Sequence, residues 1–112
     1  MIIYRLEDAN GWGPFSYNTN WPDDYSGDKS IHNVEGCTVP DVREGSRKER
    51  GYWRFGCRNK TQLSKYWGGE LDKFVRDGWV VAQYRVRKNY VRFGTKDIEV
   101  AFLRKKAVRI YE

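Results

Sequence analysis

The run Lys60–Val86, KTQLSKYWGGELDKFVRDGWVVAQYRV, changes its hydrophobic period partway along. Leu63, Tyr66, Trp67, Leu71, Phe74 and Val75 recur at three- and four-residue steps, which predicts a helix over 60–77 with these six on its buried face. Asn59 or Thr61 can cap its start and Gly78 its end. The interior pair Gly68-Gly69 costs about 1 kcal/mol per residue relative to alanine and marks a kink or break. From Trp79 the period becomes two: Val80, Ala82, Tyr84 and Val86 share one side, Trp79, Val81, Gln83 and Arg85 the other, so a strand follows.

Further strands read outward from this core. Residues 1–6 form an opening strand closed by the turn signal Asp8-Ala9-Asn10-Gly11, and 51–56 form a short strand ending at Gly56. Tyr90–Phe93, Ile98–Leu103 and Ala107–Tyr111 complete the set, joined by turns at Arg87-Lys88-Asn89, Gly94-Thr95 and Arg104-Lys105-Lys106. The expected fold class is α+β: a largely antiparallel sheet, one main helix and a long N-terminal loop. That loop, from Gly11 to Gly51, holds all three prolines and six of the eleven glycines, which is why it lacks a sustained period. Its rings Trp12, Phe15, Tyr17, Trp21 and Tyr25 need either the core or a ligand, and core packing is the simpler assignment.

The 112 residues make one domain, 1–112. Charge divides it: residues 1–56 carry 7 Lys/Arg and 9 Asp/Glu, net −2, and residues 57–112 carry 14 and 6, net +8. A field of that sign gathers phosphates, so nucleotides and nucleic acid lead the partner classes, with a merely solubilising basic surface as the plain alternative. No apolar run reaches the roughly 20 residues of a membrane span and no secretory leader pattern opens the sequence, so a cytoplasmic location is expected, with no membrane partner. Cys37 and Cys57 read as ordinary thiols. His32 with Cys37 falls short of the four or so ligands of a zinc site, so no metal is expected. The loop GxxxxGK[ST] and the elbow GxSxG are both absent, which sets aside those phosphate-binding and serine-hydrolase chemistries.

The run Gly94-Thr95-Lys96-Asp97-Ile98-Glu99-Val100-Ala101-Phe102 delivers an acidic pair to the mouth of an apolar strand. Its order after a strand with Tyr4-Arg5, a long aromatic loop, a short strand ending in Phe55-Gly56 and an amphipathic helix resembles a small family of phage and prophage proteins. More remotely, the layout is similar to the ADP-ribosyltransferase fold. That resemblance implies that Arg5 holds the phosphates of NAD and that Glu99, with Asp97 two residues earlier on the same strand face, steers the nicotinamide ribose. A guanidinium suits the first role through its planar fork of donors. The plain alternatives are an Arg5–Glu7 salt bridge and pairing of Glu99 with Arg92 or Arg109. Phe55-Gly56-Cys57-Arg58-Asn59-Lys60-Thr61 stands where transferases show Ser-Thr-Ser or a tyrosine, which favours binding over turnover.

Three functions follow. The first is capture of a phosphorylated nucleotide, such as an NAD-derived or cyclic defence signal, as a counter-defence factor, with Arg5, Tyr4, Trp12, Tyr52, Arg54, Arg58 and Lys60 as ligand contacts and no cofactor other than NAD or ADP-ribose as ligand. The second is a minimal ADP-ribosyltransferase or NAD-cleaving enzyme with Glu99 and Asp97 catalytic. The third is a nucleic-acid-binding factor or an inhibitor of a host protein, using a basic surface of Arg85, Arg87, Lys88, Arg92, Arg104, Lys105 and Lys106.

Overall fold

A computed structural model describes residues 1–14, 21–26, 53–94 and 99–111. Six strands form two antiparallel three-stranded sheets: β1 (Ile2–Glu7), β3 (Val80–Arg85) and β6 (Val108–Ile110) in the order β1-β3-β6, and β2 (Trp53–Gly56), β4 (Val91–Phe93) and β5 (Val100–Leu103) in the order β2-β5-β4. The α+β expectation is met, with the single expected sheet divided in two. One antiparallel bridge joins them: Tyr4 and Cys57 exchange both backbone hydrogen bonds at 2.8 Å.

The helical segment is α1 (Lys60–Trp67), a 3₁₀ turn (Gly68–Glu70) and α2 (Leu71–Arg76). Asn59 caps α1 by accepting from the Gln62 amide at 2.8 Å, and Gly78 closes α2 with φ of 95°. The break falls on the glycine pair. Because a 3₁₀ turn advances 120° per residue rather than 100°, α2 restarts out of phase with α1. Leu63, Tyr66, Trp67 and Phe74 stay buried, while Val75, expected on the same face, is exposed.

Register fixes which side chains share a face. Pairings Ile3–Tyr84 and Arg5–Ala82, and then Tyr84–Arg109, put Ile3, Arg5, Glu7, Ala82, Tyr84 and Arg109 on one side of the first sheet. Ile3, Ala82 and Tyr84 pack there against Val91, Val100 and Phe102 of the second sheet. The opposite side sends Leu6, with Tyr4 and Val81 beside it, against Leu63, Tyr66, Trp67, Phe74 and Trp79. The domain is therefore three layers: sheet, sheet, helices. Trp21 and Tyr25 belong to the helical core, and Arg76 ties their segment down with a two-pronged bond to Asp24 at 2.7 and 2.9 Å.

Gly56 is where β2 crosses closest to β1. A Cβ there would lie 2.6 Å from Ile3 Cγ2 and 2.7 Å from the Tyr4 carbonyl oxygen, and that carbonyl is backbone and cannot swing aside. Gly56→Ala should therefore cost about 1–3 kcal/mol by forcing the two strands apart, read as a lower denaturant midpoint at unchanged slope.

Candidate functional site

The strand order gathers the cations that the sequence spreads over twenty-five residues. β3 ends at Arg85 beside Ile2 of β1 and Val108 of β6, and β4 begins at Val91 opposite Phe102 of β5. The links between sheets, a 3₁₀ turn at Lys88–Tyr90 and another at Arg104–Lys106, therefore lie at one end of the domain. Lys106 Nζ sits 5.5 Å above the Tyr90 ring, and the Met1 ammonium donates to the Val86 carbonyl at 2.8 Å. Arg85, Arg87, Lys88, Lys105 and Lys106 are exposed there. Arg92 is exposed too, stacking on Trp53 at 5.8 Å. The runs 80–94 and 100–111 contain eight Lys/Arg and no Asp or Glu. Glu7, Asp77 and Glu99 stand at the opposite ends of the strands.

On the inner face of the first sheet lies a second cluster, centred on a carboxylate. Glu7 is 1% exposed and Arg5 5%, with Arg5 Nε 2.9 Å from Glu7 Oε2. Arg109 donates to Glu7 Oε1, and the Tyr84 hydroxyl donates to Oε2 at 2.5 Å. Arg104 and Arg109 cover the Tyr84 ring at 4.6 and 5.6 Å. Burial pulls the Arg5 guanidinium down to about 10, and the Glu7 and Tyr84 charges oppose that drop, so Arg5 stays cationic at neutral pH. Burial first, and Arg104 second, also lower Arg54. Two guanidiniums thus bind one carboxylate, with those of Arg54 and Arg104 nearby.

Burial, followed by the hydrogen bond to Glu7, holds the Tyr84 phenol above its ordinary value. A raised folded value means that the unfolded tyrosine ionises first as pH climbs, so this group's stabilising contribution is complete below about pH 10 and is lost above it. Tyr84→Phe should flatten the fall in unfolding free energy between about pH 10 and 12, measured by urea titration at each pH.

The expected ligand contacts divide among several neighbourhoods. Arg5 takes the Glu7 salt bridge, donates to the Phe55 carbonyl at 3.4 Å, and has Gly13 against its guanidinium. Arg54 stacks on the half-exposed Trp12 at 5.1 Å, Arg58 on Phe93 at 5.7 Å, and Lys60 reaches the Tyr4 ring at 6.0 Å. Glu99 is 3% exposed just ahead of β5, its carbonyl accepting from the Gly94 amide at 2.9 Å. Arg109, one of the two cations proposed for it, is engaged by Glu7. Asp97, Tyr52, Phe15, Tyr17, His32 and Cys37 lie outside the described residues, as do the start of the 51–56 strand and most of the long loop. Cys57 is a buried thiol outside any disulfide.

A family model described as Bacteriophage T4 Y00F protein matches residues 1–112. The chain belongs to that bacteriophage protein family. No curated protein and no solved structure matches it. In this Y00F-family protein no helix among the described residues is long and apolar enough to cross a membrane, and no group of His, Cys, Asp or Glu among them is arranged to hold a metal ion. Sequence reasoning named Glu7 only as a salt-bridge partner of Arg5, which it is, and passed over Tyr84. The signal for Glu7 was its spacing of two from Arg5, which puts both on one strand face; nothing local pointed to Tyr84.

Proposed function

We propose that this phage protein binds nucleic acid, laying the exposed cations Arg85, Arg87, Lys88, Lys105 and Lys106 along the phosphate backbone. The observation that carries this reading is their collection at one end of the domain, in two flanking runs that hold no acidic residue. Such an end attracts phosphates over a Debye length and orients the approach. Trp53 and Tyr90, each under a cation, add apolar surface of the kind that strand-tracking proteins use.

If about six phosphates are contacted, affinity falls by about three orders of magnitude between 50 and 200 mM salt. Lys88→Glu/Lys105→Glu/Lys106→Glu should abolish most binding while leaving the melting temperature nearly unchanged, because these side chains are exposed. The checks are fluorescence anisotropy with a labelled oligonucleotide across a salt series, and thermal unfolding of the same samples. Salt-insensitive binding, or wild-type binding by the triple variant, overturns the proposal.

A second reading has its own support. Arg5, Arg54, Arg104 and Arg109 lie in one neighbourhood around Tyr84 and Glu7, a concentration of guanidinium donors of the kind that suits phosphate oxygens. Under that reading the protein sequesters an NAD-derived or cyclic nucleotide. Titration calorimetry with NAD, ADP-ribose and cyclic dinucleotides, followed by mass analysis of the recovered ligand, separates capture from cleavage and both from the backbone reading. Arg5 and Glu99, which the transferase resemblance puts at its centre, are both nearly closed to solvent, which is why the basic end takes precedence.

A further inference from the structure

Midway along the strands, on the helix-facing side of the first sheet, a groove of about 230 Å³ runs between Lys60, Val81, Gln83, Arg109, Ile110 and Tyr111. Register places it on the same track as the cations: Gln83 pairs with Ile110, and the next same-face pair along the strands is Arg85 with Val108, about 7 Å away. Tyr111 is 80% exposed and Val108 67%, apolar groups left largely open to solvent. Arg109 reaches the Tyr111 ring at 5.1 Å from one side of the groove, and Lys60 the Tyr4 ring at 6.0 Å from the other.

The volume discriminates between occupants. Sites that enclose a drug-sized molecule run to about 300–1,000 Å³, so this groove suits one planar ring system. A base inside a duplex is stacked on its neighbours and has no free face to offer, whereas a base in a single strand does. The cations at the rim complement the phosphates on either side of such a base. We infer that the groove takes a base of single-stranded nucleic acid, stacked on Tyr111, while the flanking phosphates lie on Arg85 and Lys60. The inference rests on the nucleic-acid reading above and names its substrate class as single-stranded.

The test compares a labelled oligothymidylate of about a dozen nucleotides with a hairpin duplex of similar charge. Wild-type protein should prefer the single strand. Tyr111→Ala should weaken the single strand by about 10-fold to 100-fold and leave the duplex unchanged, since one stacked base contributes on this scale, and Tyr111→Phe should restore wild-type affinity. Equal affinity of wild type for both probes, or a Tyr111→Ala protein that binds the single strand as wild type does, overturns the inference and leaves the backbone reading standing. Absence of binding to either probe by wild type overturns both. Because Tyr111 is exposed and lies beyond β6, the folded state should be unaffected, which an unchanged melting temperature verifies.

Discussion

Glu7→Ala is expected to lower the unfolding free energy by about 3–5 kcal/mol, a large part of the 5–15 kcal/mol typical of a domain. The carboxylate is the common partner of Arg5, Arg109 and the Tyr84 hydroxyl, and it is closed to solvent. Without it, Arg5 is left as a buried charge facing Arg54 and Arg104 across a low-dielectric layer, and neither of those can swing in to replace an anion. Arg109 is less committed, being about one-fifth exposed, and can turn outward to water. The penalty should therefore fall mainly on Arg5. Arg5→Met/Glu7→Leu makes that point testable, since exchange of both partners for apolar groups should recover most of the loss in urea unfolding. A double variant no more stable than Glu7→Ala would show that the carboxylate's bonds to Tyr84 and Arg109 matter more than the charge it neutralises.

Phe74→Ala should be of similar size, about 3–5 kcal/mol, or a drop of about 12–20 °C in melting temperature for a chain of this length. Phe74 is fully buried, and four rings converge on it: Trp79 at 5.0 Å, Trp67 at 5.2 Å, Trp21 at 5.7 Å and Tyr25 at 5.7 Å. Two of the four come from the segment 21–26, which is also held by the contact of Trp21 with Trp67 and by exposed polar contacts from Arg76 and Lys73 and between Ser26 and Glu70. Those polar contacts are individually weak in water. Removal of Phe74 should thus loosen 21–26 as well as lower stability, read as a loss of near-ultraviolet circular dichroism larger than that caused by an equally destabilising change such as Gly56→Ala. An undiminished aromatic signal in folded Phe74→Ala would mean that the segment's other contacts suffice to hold it.

Local features of the chain are legible in its residue pattern. The period of 60–77, its interruption at Gly68-Gly69, the Asn59 cap and the alternation through Tyr84 are all set by neighbours within a few residues. Val75 was misplaced because a 3₁₀ interruption changes helical phase without altering the sequence spacing that suggests the face. Division into two sheets was not legible. It depends on β2 pairing with β5 and β1 with β3, contacts between residues far apart in the chain that no local pattern encodes. The site follows the same rule. An Arg5–Glu7 pair could be read from a spacing of two, but Arg109 and Tyr84 joined it only through the order β1-β3-β6. Composition announced a basic second half; antiparallel pairing alone turned it into a basic end.

The seam between the sheets carries its own chemical clock. Cys57 exchanges two backbone hydrogen bonds with Tyr4, packs with the helical core and is 1% exposed, so a thiol reagent can reach its sulfur only when the structure around that seam opens. In a Cys37→Ser background, the rate of labelling at high reagent concentration therefore becomes the opening rate of that seam, and at low concentration it reports the opening equilibrium. One sulfur atom would then time the opening of the junction of sheets and helix under native conditions, without denaturant.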